Sequence, residues 1–114
     1  MKYYTFRQNN SGGSFVTNEE VAHFVIIEAP DARLANSIAQ EFGIYFDGCS
    51  SYQDCSCCGD RWYRADESDG YETPLLYGSP IEEYKPWWDE KCIIHYLDRR
   101  KEVFELPAKT PTYS

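Results

Sequence analysis

The sequence predicts an α+β domain, an antiparallel or mixed sheet of about five strands with one main helix packed on one face. Three observations carry that expectation. Residues 21–28 place apolar side chains on both faces of an extended chain, as a central strand does. Residues 31–42 repeat apolar positions at spacings of one, three and four, which makes a single helical stripe. Residues 92–106 hold two alternating runs around a short polar stretch, the pattern of a hairpin.

Taken in order, residues 2–8 alternate weakly and are rich in Tyr and Phe, which suits a first strand. Asn9, Asn10, Ser11, Gly12, Gly13 and Ser14 form a turn or loop, because Asn and Gly tolerate positive φ. In the strand Val21 to Glu28, His23, Val25 and Ile27 share one face and Ala22, Phe24 and Ile26 the other. Pro30 stops that strand, and Asp31 can cap the first turn of a helix. Leu34, Ala35, Ile38, Ala39 and Phe42 form its stripe, and Gly43 stands where a left-handed cap belongs. Ile44, Tyr45 and Phe46 read as a short strand closed by Asp47 and Gly48, completing a strand–helix–strand unit. Arg61 to Arg64 reads as another strand and Asp66 to Gly70 as a polar turn. Residues 73–90, with three prolines and the pair Trp87 and Trp88, read as an irregular covering segment with at most one helical turn. Cys92–Asp98 and Glu102–Leu106 form the final hairpin, joined near Arg99 and Arg100. One domain therefore spans residues 1–106, and 107–114 form a C-terminal tail.

The 114 residues carry 19 acidic and 11 basic side chains, a formal charge of -8. Direct binding to nucleic acid is disfavoured, since that affinity comes largely from Lys and Arg on phosphates. An anionic membrane surface is disfavoured for the same reason. Apolar residues at 42% and aromatics at 17% are enough to fill a core, so the chain is not of the disordered class. Met1 to Gln8 lacks the apolar run of a secretory signal, and the longest apolar run, Phe24 to Ile27, is too short to span a bilayer.

Five cysteines, an odd number with three of them at positions 55, 57 and 58, point to reduced thiols rather than a disulfide framework. Cys55-x-x-Cys58 followed by Gly59 has the form of a zinc knuckle, in which two thiolates of a tight turn face one cation. Zinc takes four ligands, so Cys57 and Cys49 join Cys55 and Cys58 as the candidate set, with Cys92, His95 and His23 as further donors. The competing reading is a reduced, partly buried turn in which the cysteines act as small apolar residues. Cys92 and His95 are three apart on a predicted strand and point to opposite faces, which opposes a nucleophile–base pair. Asp66 to Gly70 fails the spacing of a cation loop, because Ala65 would occupy the first ligand position. No phosphate-cradling loop, nucleophile elbow or two-histidine zinc motif is present, so the expectation is a protein without catalytic activity.

Arg61, Trp62, Tyr63 and Arg64 alternate charge with aromatic surface. On a strand, Arg61 and Tyr63 would share one face and Trp62 and Arg64 the other, and such a face could stack a base and neutralise a phosphate. A small nucleotide needs only one or two charges, so the acidic total does not exclude it. The plainer reading makes Trp62 core and pairs the arginines with the acids around them. These four residues are the candidate ligand-binding set, with Asn10 in the 9–14 loop as part of a lid.

The string Asp54-Cys55-Ser56-Cys57-Cys58-Gly59-Asp60-Arg61-Trp62-Tyr63-Arg64, with the opening Lys2-Tyr3-Tyr4-Thr5-Phe6 and the stretch Asn9 to Phe15, resembles a family of small uncharacterised proteins encoded by tailed bacteriophages. The likeness covers residues 1–106 and gives no residue a role. It implies an accessory protein in the cytoplasm of an infected bacterium. The function expected is non-enzymatic sequestration of a small nucleotide-like host signal, a form of counter-defence. Two alternatives stand beside it. One is an inhibitor whose acidic residues 47–72 occupy the basic site of a host protein; the other is a zinc-stabilised interaction module.

Overall fold

The computed structural model describes residues 1–9, 15, 17–49, 60–84, 86 and 89–106. Their architecture is α+β, a five-stranded mixed sheet with one helix and a separate two-stranded sheet. The main sheet comprises β1 (Lys2–Arg7), β2 (Phe24–Ala29), β3 (Gly70–Tyr71), β6 (Glu90–His95) and β7 (Lys101–Leu106), in the order β3-β1-β2-β6-β7. Helix α1 spans Ala32–Glu41, and β4 (Leu75–Leu76) pairs with β5 (Ser79–Pro80). Three of the four pairings in the main sheet are antiparallel, but β2 and β6 run parallel, with Phe24 opposite Cys92 and Ile27 opposite His95. β2 is buried at every position from Phe24 to Ile27, as a strand covered on both faces must be.

Each face has its own core. On the helix side, Tyr4, Phe6, Val25 and Ile27 pack with Ala32, Ala35, Ala39, Ile44, Trp62 and Ala65. The three helix residues buried there are alanines, so α1 lies close against the sheet. On the other side, Phe24, Ile26, Cys92, Ile94 and Leu106 pack beneath Leu76 and Ile81. Tyr77 and Tyr84 set their rings edge-on to Phe24, at 5.8 and 5.4 Å. The covering role expected for 73–90 is met here by a hairpin as well as a helical turn at Ile81–Glu83. Tyr77 and Gly78, both at positive φ, make the tight reversal that two-residue strands cannot announce in a sequence.

The ends of α1 follow their local chemistry. Asp31 Oδ1 accepts the Leu34 N–H at 2.8 Å, and the Glu67 carboxylate accepts the Ala32 N–H at 2.8 Å. At the other end Gly43 sits at φ 100°, its N–H donating to Gln40 while the Ile44 N–H donates to Ala39, both at 3.1 Å. That double bond pattern is a Schellman cap. It also corrects the expected strand at Ile44–Phe46: the Ile44 amide is spent on the helix end, and its side chain turns into the helix-side core. β6, arriving much later in the chain, lies beside β2 as its parallel neighbour.

Arg61 to Arg64 is not a strand either. The segment is held from the helix, where the Asn36 amide donates to the Ala65 carbonyl at 3.0 Å and accepts the Ala65 N–H at 2.8 Å. One side chain thus replaces a ladder strand. The expected polar turn forms at Glu67–Asp69, and Gly70 with Tyr71 after it adds β3 to the edge of the sheet. Gly70 is needed there because a Cβ would lie 2.9 Å from the Tyr4 ring. Among the described residues no helix is long and apolar enough to cross a membrane.

Candidate functional site

The residues singled out from the sequence separate in space. Arg61 is 8% exposed, and its guanidinium donates to Gln8 Oε1 at 2.9 Å and to the Tyr45 hydroxyl at 3.0 Å. Gln8 passes the bonding on, its Nε2 donating to the Ala22 carbonyl at 3.0 Å. Trp62 is 2% exposed within the helix-side core. Tyr63 and Arg64 are exposed, so the expected two-faced alternation is replaced by a buried pair followed by an exposed pair. Arg64 meets Asp47 at 2.7 Å and stands 5.0 Å over the Phe46 ring. With Thr5, Arg7 and Tyr71, Tyr63 and Arg64 line a shallow hollow of about 220 Å³.

Asn10, Cys55, Cys57 and Cys58 lie outside the described residues. Cys49 is half-buried, and its N–H donates to Asp60 at 2.9 Å. Among the described residues no three His, Cys, Asp or Glu side chains gather as a metal-holding group. Cys92 and His95 occupy opposite faces, as their spacing requires. Cys92 belongs to the core under β4 and β5, where burial pushes its thiol up to about 12. His95 stacks on Phe42 at the end of α1, with ring centroids 3.8 Å apart.

That stack belongs to a larger feature, a cleft of about 500 Å³ between α1 and the turn joining β6 to β7. Such a volume lies within the usual range for small-molecule pockets. Leu34, Ile38 and Phe42, on one ridge of α1, line it together with Ile27 and Leu97. This explains why Leu34 remains partly exposed despite its place in the helical stripe. Arg99, Arg100 and Lys101 also line the cleft, as do Glu20, Glu28 and Glu41.

The turn that carries the basic residues is a three-residue hairpin loop, Leu97 to Arg99. The Arg99 N–H donates to the Tyr96 carbonyl and the Tyr96 N–H to the Arg100 carbonyl, both at 2.9 Å. Loops of this form place their last residue in the left-handed region, normally a glycine. Here it is Arg99, at φ 77°. Glu28 anchors the loop by accepting the Leu97 N–H at 3.1 Å and the Tyr3 hydroxyl at 3.0 Å. Arg100 donates to Asp98 at 2.7 Å and lies 4.7 Å over the Tyr96 ring. The Tyr96 hydroxyl donates to Glu102, which with burial raises it to about 12. The Arg99 guanidinium has no such partner among the described residues.

At the floor, His95 holds its ring by Nε2, which lies 2.8 Å from the Glu20 carbonyl. A carbonyl only accepts, so that nitrogen carries the proton. Burial lowers the imidazole pKa, opposed by the Glu20 carbonyl and carboxylate. Burial therefore favours the neutral ring. Sequence reading treated His95 only as a metal or base candidate and passed over the turn. The spacing of the two alternating runs, with Asp98-Arg99-Arg100 between them, was the signal that could have found it.

This chain belongs to the family described as a domain of unknown function (DUF7296), whose model matches residues 1–112. No curated protein and no solved structure matches it. The family assignment brings no chemistry with it.

Proposed function

We propose that this chain is a non-enzymatic binding protein that captures a small nucleotide-like ligand, one with a flat ring and an anionic group, in the cleft between α1 and the β6–β7 turn. Arg99 is the observation that carries the reading. An L-residue held in the left-handed region costs about 1–2 kcal/mol, and glycine would avoid that. Backbone strain of this kind clusters at ligand sites. The strained residue here is a cation without a partner among the described residues, beside an apolar wall. That wall suits a ring, and the guanidinium fork suits a phosphate. Glu41 and Glu20 can accept from ring amino or sugar hydroxyl groups, which accounts for acids and bases in one cleft.

The likeness to tailed-phage accessory proteins supports a setting in an infected bacterial cytoplasm, where removing a nucleotide signal would serve counter-defence. Calorimetric titration of the full chain with cyclic nucleotides and ADP-ribose derivatives tests the reading. Heat with at least one member is expected, and Arg99→Ala should weaken it. No heat with any member at high protein concentration overturns the proposal and turns attention to the acidic-inhibitor alternative.

A further inference from the structure

We propose that β7 is a dimerisation edge, pairing antiparallel with β7 of a second copy about a two-fold axis at Val103. Among the described residues β7 pairs only with β6, which leaves its outer edge open. The hairpin geometry identifies the backbone groups on that edge. Tyr96 and Arg100 form a hydrogen-bonded pair, and such pairs alternate along an antiparallel ladder. Glu102, Phe104 and Leu106 therefore direct their amides and carbonyls to β6, and Lys101, Val103 and Glu105 direct theirs outward.

These three outward residues are also one side-chain face, exposed at all three positions. Val103, 47% exposed, is the apolar centre of that face, between Lys101 and Glu105. A two-fold axis at Val103 sets the two valines opposite one another and sets Lys101 opposite Glu105 of the partner, once at each end. Opposite charges facing across antiparallel strands stabilise the pair, and like charges destabilise it. Shifting the axis to Glu102 or Phe104 puts Val103 opposite a charged residue and loses both ion pairs. The Lys101 ammonium donates to the Glu19 carbonyl at 2.9 Å and lies 3.7 Å from the Glu20 carboxylate. With three protons, it can meet Glu105 of the partner as well. Charged edges usually discourage pairing; this one rejects strangers and accepts one register of itself.

Analytical ultracentrifugation of the full chain tests the proposal. The wild-type chain should sediment as a dimer. Lys101→Glu and Glu105→Lys should each weaken self-association at least tenfold, because each sets like charges opposite at both ends. The double variant should recover the dimer, with circular dichroism confirming that every variant is folded. Glu105 is exposed, so its reversal reports even where Lys101→Glu disturbs the neighbouring Glu20. A wild-type chain that stays monomeric overturns the proposal, as does a dimer that survives Glu105→Lys or a double variant that stays monomeric.

Discussion

Residues 61–64 and 96–101 are built from similar materials, arginines beside aromatic rings, and they come to opposite ends. Arg61 is buried and fastened to Gln8 and Tyr45, with Trp62 beside it in the core. Arg99 stands at the rim of a cleft in a backbone conformation that favours glycine. The comparison teaches that an Arg–aromatic string is ambiguous by itself. What separates the two arginines is whether the guanidinium is already satisfied and whether the arginine's own backbone bears strain.

Trp62→Ala gives the largest expected effect on this contrast. Deleting a buried indole typically costs about 3–5 kcal/mol, so urea unfolding should show a loss of that size. Affinity at the cleft, measured where the variant remains folded, should stay near wild type. A lost affinity with intact stability would reverse the roles of the two regions. Arg99→Gly comes next and separates stability from binding. It should raise stability by about 1 kcal/mol through relief of the left-handed strain. Ligand affinity should fall roughly ten- to a hundredfold, the worth of a charge-assisted hydrogen bond of about 1.5–3 kcal/mol.

The cleft should also carry a pH signature through His95. Because the folded His95 pKa lies below its ordinary 6.5, the unfolded chain binds the proton more readily. The stabilising contribution of the neutral ring is thus whole above pH 6.5 and declines as pH falls below that value. Thermal melts from pH 7.5 to 5 should show a drop that His95→Gln makes shallower. Arg64→Ala should have the smallest effect. Its ion pair with Asp47 is more than half exposed on both sides, and pairs of that kind are worth about 0–1 kcal/mol. A loss beyond that range in denaturant unfolding would mean that Arg64 belongs with the buried network.

Much of the scaffold could be read from the chain because its determinants are local. Asp31 and Gly43 mark α1 to within a residue, and the alternation around Arg99 and Arg100 marks the last hairpin. The helix on one face and the covering segment 73–90 follow from the same local patterns. Ile44–Phe46 was misread because its strand-like composition says nothing of the amide that the Schellman cap consumes. Arg61–Arg64 was misread because the Asn36 clamp comes from a distant helix. The cleft was invisible for a related reason. Its walls come from α1, the ends of β2 and β6, Glu20 and the hairpin turn, and no short window contains them together.

The parallel seam between β2 and β6 has a kinetic consequence. β6 and β7 meet across a three-residue turn, so that ladder closes with little loss of chain entropy. Pairing Phe24 with Cys92 must instead close a loop that holds the helix and the whole covering segment. Non-local pairing of this sort slows folding. The seam should therefore zip last, leaving Val25, Ile26, Ile93 and Ile94 as bare β-branched edges until it does. A newly made chain is at its most aggregation-prone in that interval, and conditions that shorten it should raise the yield of folded protein.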